Sequence, residues 1–118
     1  MVYYSKRSQK DFVRLFIGLL NWKTKDKQPR MTYDEVVSYR NDLYKQCLSI
    51  ANRLYHEKPR YADHRKFGQF VLSYKRNSRT TWYIIYDVKP NGDILIKKVM
   101  NNHVTKTPSD LKMPKTKK

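Results

Sequence analysis

Two strand-like runs near the C-terminal end limit the possible folds of this chain more than any other part of its sequence. Residues 80–88 and 93–100 are rich in β-branched and aromatic side chains, and Asn91-Gly92 lies in the short connection between them. Such a connection is typical of a β-hairpin, because Gly tolerates positive φ. A third run, residues 67–74, precedes them and is followed by a polar turn, residues 75–79. The pattern predicts a three-stranded antiparallel sheet.

Two amphipathic helices are predicted before this sheet. The first is expected to begin at Ser8 and to be apolar on more than half of its surface. The second has the clearest start signal in the chain, because Thr32 is followed three residues later by Glu35 in a capping box. Its apolar residues follow a helical period as far as Tyr55, and His56 is interpreted as a surface or cap residue at its end.

The order of these elements predicts an α+β fold. A β-prone run, residues 2–4, precedes the helical hairpin, which must bury its apolar side on the antiparallel sheet (β-α-α-β-β-β). A chain of 118 residues can form one hydrophobic core but not two. We expect a single domain over residues 1–105 and a flexible, disordered, Lys-rich tail over residues 106–118.

Charge indicates the kind of partner. The chain has 26 Lys and Arg against 10 Asp and Glu, a formal net charge of +16. An excess of this size is typical of proteins that bind a polyanion or an acidic protein, and a ribosomal or DNA-coating protein would carry it too. One cysteine, Cys47, excludes an internal disulfide and favours a reducing, cytoplasmic compartment. No apolar run approaches the roughly 20 residues of a membrane span, and no signal-peptide layout is found.

His103 is the strongest candidate for a catalytic residue. It follows Asn101-Asn102 directly after the last predicted strand, and active sites favour loops held by rigid elements. The imidazole pKa, near 6.5, suits proton transfer at neutral pH. The alternative is an exposed or structural histidine, which is the commoner role. A second histidine, His64, lies in an irregular basic segment before the sheet.

No other catalytic motif competes with the histidines. The sequence has no Gly-rich phosphate loop, no metal-ligand spacing and no serine elbow, so neither a metal nor a cofactor is expected. Cleavage of RNA would therefore use the ribose 2′-hydroxyl as the nucleophile, a histidine as acid or base, and cations to stabilise the phosphorane. The cations available near the predicted sheet are Arg65, Lys66, Lys75, Arg76 and Arg79. They could equally belong to a solvated turn without a fixed target.

The element order resembles that of the RelE/ParE superfamily of bacterial toxins over residues 2–105. Trp82-Tyr83-Ile84-Ile85-Tyr86 resembles the aromatic strand of that family, and Val99-Met100-Asn101-Asn102-His103 resembles the exit of its last strand. Tyr61-Ala62-Asp63-His64 adds a likeness to the YafQ branch, which implies His64, Trp82 and His103 as site residues. Trp82 shares strand parity with Ile84 and Tyr86, which favours a core position for its side chain.

The chain departs from the family pattern at several positions. Tyr83 stands where many RelE-like members have Arg, and Arg79 is a candidate to replace that cation. Thr81 and Asn77 stand where the YafQ branch has an acid and a further histidine. The division of acid and base work therefore stays open, and Tyr83 can either stack on a base or pack in the sheet.

The resemblance implies the toxin of a type II toxin–antitoxin system, a ribosome-dependent mRNA endoribonuclease that inhibits translation. Its expected partners are an acidic antitoxin, mRNA and the ribosome, without a membrane, and the free toxin is expected to be a monomer. The alternatives are a ParE-like inhibitor of DNA gyrase that acts by binding, and a non-catalytic nucleic-acid-binding domain. The predicted catalytic residues are His103, His64 and Arg79; the predicted RNA-binding residues are Arg65, Lys66, Lys75, Arg76, Trp82 and Tyr83.

Overall fold

The computed structural model describes residues 1–102 and confirms the α+β class. His103 and the predicted tail over residues 106–118 lie outside the described residues. No helix of the described part is both long and apolar enough to cross a membrane. The elements are β1 (Val2–Tyr4), α1 (Lys6–Leu20), α2 (Tyr33–Ser49), a 3₁₀ turn (Ile50–Asn52), α3 (Ala62–Arg65), β2 (Phe70–Lys75), β3 (Thr81–Val88) and β4 (Ile94–Asn101).

The strands form one mixed sheet in the order β1-β4-β3-β2. The pairs β2–β3 and β3–β4 are antiparallel, as predicted. The sheet is not antiparallel throughout, however, because β1 pairs in parallel with β4, from Val2 opposite Ile94 to Tyr4 opposite Ile96. This pairing joins residues about ninety positions apart, so no local pattern could specify it.

The start of α1 differs from the prediction, whereas the start of α2 confirms it. Ser5, not Ser8, caps α1, because its hydroxyl accepts from the Ser8 N–H (3.1 Å) while its own N–H donates to the Ile96 carbonyl at the end of the β1 pairing (2.9 Å). In α2 the Thr32 hydroxyl accepts from the Glu35 N–H (3.1 Å), and the Glu35 carboxylate accepts from the Thr32 N–H (2.8 Å). This capping box satisfies two N–H groups that would otherwise lack partners.

The end of α2 was predicted wrongly. The helix ends at Ser49, and Tyr55, which continues the helical period, is exposed. The chain leaves the helix because Arg53 and His56 reach the hydroxyl of the fully buried Tyr86, at 3.3 Å from the guanidinium Nη1 and 2.8 Å from the imidazole Nδ1. His56 is therefore a partly buried contact of the core and not a surface cap.

The two long helices cover one face of the sheet. Asp11 fixes α1 there, because its carboxylate accepts from the Val99 N–H and from the Lys98 ammonium, both at 2.9 Å. The opposite face carries the segment around α3, and Gly68 approaches it so closely that an added Cβ would lie 2.9 Å from Ile85. The buried core between helices and sheet consists of Phe12, Leu43, Cys47, Ile50, Trp82, Ile84, Tyr86, Ile94, Ile96 and Val99.

Candidate functional site

Strand β4 ends in a clamp on the β2–β3 turn. The Asn102 N–H donates to the Thr81 carbonyl, its Oδ1 accepts from the Thr81 N–H, and its Nδ2 donates to the Arg79 carbonyl, each at 3.1 Å. The structure thereby brings Arg79 next to the end of the last strand. The sequence continues from Asn102 into His103, which lies outside the described residues.

The turn that presents Arg79 is held by a side chain. Asn77 Oδ1 accepts from the N–H groups of Arg79 and Thr80, both at 2.9 Å, which closes an Asx-type turn. The Arg79 side chain is exposed. Because the turn is closed by its own Asn and clamped by Asn102, the guanidinium is attached to a fixed backbone.

Lys75 and Thr81 complete this end of the sheet. They are directly opposite each other in the β2–β3 register, and their strand parity is that of Ser73 and Tyr83, on the face away from α1 and α2. Lys75 is exposed. We call Lys75, Arg79, Thr81 and Asn102 the Arg79 cluster; it presents two cations and polar groups at one sheet end.

Arg76 has a structural contact, although it was predicted as an RNA-binding residue. Its Nη1 donates to Asp42 Oδ2 at 2.9 Å, and its guanidinium carbon lies 3.8 Å from the centroid of the Tyr39 ring. Asp42 and Tyr39 both belong to α2, so Arg76 fastens the β2–β3 turn to that helix. An arginine paired in this way has little charge to offer a phosphate.

Trp82 points into the core, in agreement with its strand parity. Its side chain is 5% exposed, and its indole N–H donates to the Tyr39 hydroxyl at 2.9 Å. Burial leaves no ring face for a base, so the predicted contact with RNA finds no support in this geometry.

His64 lies on the opposite face of the sheet, between two tyrosines. Its ring centroid is 4.6 Å from that of Tyr83 and 5.1 Å from that of Tyr61, and its side chain is 1% exposed. Burial lowers the pKa of His64 although the nearby Asp63 carboxylate acts in the other direction. Burial therefore favours the neutral form of the imidazole. Tyr83 packs under it, and burial, with the neighbouring Tyr61 hydroxyl, raises the pKa of Tyr83.

The remaining predicted cations differ in how far they are free to bind. Arg65 is tied to its own loop, donating from Nε to the Pro59 carbonyl (3.2 Å) and from Nη2 to the Arg60 carbonyl (2.6 Å). Lys66 is exposed, with its ammonium 5.3 Å from the centre of the Phe67 ring. Of the predicted RNA-binding cations, Lys66 and Lys75 are thus the ones that the described structure leaves accessible.

Sequence reasoning missed two residues that shape this site. The sequence marked Asn102 only as the residue before His103, and Asn77 only as part of a turn and as a departure from the YafQ pattern. Asn77 carried a signal, because Asn two residues before the end of a turn commonly closes an Asx turn. The Asn102 clamp joins residues 21 and 23 positions apart and had no local signal.

Comparisons with known proteins add no further information on this site. No family model, no curated protein and no solved structure matches the chain. Among residues 1–102, no group of three or more His, Cys, Asp or Glu side chains is placed to hold a metal ion. The resemblance to the RelE/ParE superfamily rests on the sequence pattern and stays a prediction.

Proposed function

We propose that this chain is an endoribonuclease that cuts mRNA without a metal ion and so inhibits translation, as the toxin of a type II toxin–antitoxin pair. The observation that carries the proposal is the clamp between Asn102 and the Arg79 turn. It ends β4 beside an exposed guanidinium, at the position from which the sequence continues into His103. A cation and an imidazole at one strand end are the groups that phosphodiester cleavage requires.

The proposed reaction uses the substrate's own nucleophile. The ribose 2′-oxygen attacks the adjacent phosphorus as its proton passes to a base, and the bond from phosphorus to the 5′-oxygen breaks as that oxygen receives a proton. The products are a 2′,3′-cyclic phosphate and a 5′-hydroxyl. Arg79 and Lys75 stabilise the charge that develops on the phosphorane, since a guanidinium can bind two of its oxygens at once. His103 carries proton transfer.

His64 has a positioning role in this proposal, although it was predicted to be catalytic. Its ring is 1% exposed and lies on Tyr83, so a substrate would have to displace Tyr61 to reach it. Held there, His64 keeps α3 on the sheet face that the Arg79 cluster borders. Trp82 has a similar role on the other face, through its hydrogen bond to Tyr39.

The charge of the chain supports the proposed partners. A net charge of +16 favours association with ribosomal RNA and mRNA, and equally with an acidic antitoxin. Both partners would be drawn to the same cationic surface, so the antitoxin would act by covering it.

The test is induction of the chain and four variants in bacteria, with primer extension on the transcripts. His103→Ala should abolish growth arrest and transcript cutting, since loss of an acid or base costs about 10²- to 10⁴-fold. Arg79→Ala should slow cutting more than Arg79→Lys, because only the guanidinium is a planar fork. Arg14→Ala, which removes an exposed arginine from α1, is the charge-matched control and should cut normally.

Two outcomes would contradict the proposal. One is full toxicity and cutting by a folded His103→Ala protein. The other is growth arrest with intact transcripts, which would favour a target other than mRNA, including DNA gyrase. Each variant's fold is checked by circular dichroism before its activity is compared.

A further inference from the structure

The connection between α1 and α2 is a hairpin closed by backbone hydrogen bonds. Lys23 and Pro29 form an antiparallel bridge. The Arg30 N–H donates to the Trp22 carbonyl at 3.0 Å, and the Thr24 N–H donates to the Gln28 carbonyl at 2.9 Å. We call residues 22–30 the Trp22 hairpin.

The Trp22 hairpin presents a half-exposed indole among cations. The Trp22 side chain is 49% exposed, and the Arg30 guanidinium lies 5.0 Å from its ring centroid, covering one side. Arg30 is held there by a hydrogen bond from its Nε to the Lys23 carbonyl (3.4 Å). Exposed aromatic rings among basic side chains are how proteins bind single-stranded nucleic acids, with bases stacked on the rings and phosphates near the cations. The exposed cations of the hairpin are Lys23, Lys25, Lys27 and Arg30, against one acid, Asp26.

The tip of the hairpin holds a cation in an unfavourable backbone conformation. Lys27 has φ of 63°, the left-handed region, which Gly and Asn adopt far more readily than Lys. Its N–H donates to the Thr24 carbonyl at 2.9 Å, so the turn imposes this conformation. A turn built for stability alone would have Gly or Asn here, and the lysine places a charge at the tip at a conformational cost.

The Trp22 hairpin lies at the same end of the molecule as the Arg79 cluster. α1 runs in the direction of β4, because Ser5 bonds to Ile96 near the start of the helix and Asp11 bonds to Val99 further along both elements. α1 therefore ends beyond Val99, on the side where β4 ends at Asn101. A single RNA strand could contact both places.

We propose that the Trp22 hairpin is a binding site for single-stranded RNA, in which one base stacks on Trp22 and the phosphates lie along Lys23, Lys25 and Lys27. The site needs no cleavage chemistry, so it stands apart from the function proposed above. It would hold an RNA strand that also passes over the Arg79 cluster.

The test is binding of the full-length chain to a labelled single-stranded RNA of twelve 2′-O-methyl nucleotides, which cannot be cut through its 2′-oxygens. Trp22→Ala should weaken binding about tenfold, and Trp22→Phe should recover most of the loss, because a phenyl ring still stacks. Indole fluorescence of the unsubstituted chain should be quenched by the RNA, and this quenching should be missing in Trp22→Phe.

The charge contribution is tested by a triple variant, Lys23→Gln, Lys25→Gln and Lys27→Asn. Log affinity falls linearly with log salt, and losing three phosphate contacts should make this slope less steep by about 2. The matched control is Lys10→Gln, Lys45→Gln and Lys89→Gln, which removes three exposed lysines elsewhere and should leave the slope nearly unchanged. Asn suits the left-handed position, so the hairpin variant should melt no lower than this control.

Three results would overturn the site: unchanged affinity in Trp22→Ala, equal changes of slope in the two triple variants, or equal binding of a duplex RNA without quenching. The first two would leave only the net charge as the cause of binding, and the third would show backbone binding without stacking. The RNA in this assay cannot be cut through its 2′-oxygens, so failure of the cleavage proposal would not imitate failure of this one.

Discussion

Removing the Asn102 side chain should slow RNA cleavage strongly while it destabilises the fold only modestly. Asn102→Ala deletes the hydrogen bonds that Asn102 makes with the Thr81 N–H and with the Arg79 carbonyl and keeps its backbone bond to the Thr81 carbonyl. The end of β4 would still pair with β3, but the Arg79 turn would lose its connection to it.

The expected energetic cost is modest. Each net hydrogen bond contributes about 0.5–1.5 kcal/mol, and exposed groups can bond to water instead, so the two bonds together should contribute about 1–2 kcal/mol. For a domain of this size that corresponds to a fall in Tm of roughly 4–8 °C. The cost in rate should be larger, because a displacement of about 1 Å at a reacting centre can slow a reaction about 10²-fold.

Asn91→Ala is the matched control. Asn91, in the β3–β4 turn, also makes two side-chain hydrogen bonds, donating to Asp93 Oδ2 (3.1 Å) and accepting from the Asp93 N–H (3.0 Å). Its loss should lower the free energy of unfolding by a similar amount at the opposite end of β4. The cleavage rate should not change.

The assay is single-turnover cutting of a labelled mRNA in a cell-free translation reaction, beside unfolding in urea. Asn102→Ala should cut about 10²-fold more slowly than the unsubstituted chain, and Asn102→Asp, which cannot donate to the Arg79 carbonyl, should be similarly slow. Normal cutting by Asn102→Ala, or equal slowing by Asn91→Ala, would refute the idea that the clamp positions catalytic groups.

Three further predictions follow from single contacts. Burial lowers the pKa of His64, so its contribution to stability is complete above the unfolded pKa near 6.5 and is lost as the pH falls through the lower folded pKa. His64→Phe should therefore lose less unfolding free energy than the unsubstituted chain between about pH 7 and pH 5. Identical slopes of unfolding free energy against pH in the two proteins would exclude His64 as the cause. Asp42→Asn should lower the free energy of unfolding by less than about 1 kcal/mol, because the pair of Asp42 with Arg76 is partly exposed, and RNA cutting should persist. Loss of cutting in a folded Asp42→Asn protein would show that Arg76 has a role in cleavage besides its structural one. Tyr86→Phe should lower the unfolding free energy by about 1–2 kcal/mol, measured in urea, since Arg53 and His56 lose a buried partner, and an unchanged value would show that the pairing contributes nothing.

Local signals predicted the parts of the fold whose determinants lie close together in sequence. The Thr32–Glu35 capping box formed as expected, because both partners are three residues apart. The position of Trp82 in the core was also predicted correctly, because alternate residues of a strand share a face and Trp82 alternates with Ile84 and Tyr86.

Tertiary contacts decided what the sequence pattern could not. Tyr55 follows the helical period of α2, yet the helix ends earlier, because the chain turns to reach Tyr86. Arg76 looked equivalent to Arg79 in the sequence, and only the fold shows that Asp42, 34 positions away, pairs with it. The parallel pairing of β1 with β4 was beyond prediction for the same reason.

Part of the spatial grouping of the candidate site residues was predicted from the sequence. Residues near the β2–β3 turn and the end of β4 were expected to act together, and the structure brings Arg79, Lys75 and Asn102 to one sheet end. The burial of His64 between two tyrosines was not foreseen, because a basic, irregular segment gave no sign of packing. The catalytic role of His103 stays a prediction.

The ends of the RNA fragments test the central claim most directly. Attack by the ribose 2′-oxygen leaves a 2′,3′-cyclic phosphate, or the 3′-phosphate formed from it, and a 5′-hydroxyl, and mass spectrometry of cut mRNA distinguishes these ends. We expect 5′-hydroxyl ends from the unsubstituted chain and no fragments from His103→Ala. Fragments with 5′-phosphate and 3′-hydroxyl ends would show that water, and not the ribose, attacks the phosphorus, and would contradict the account.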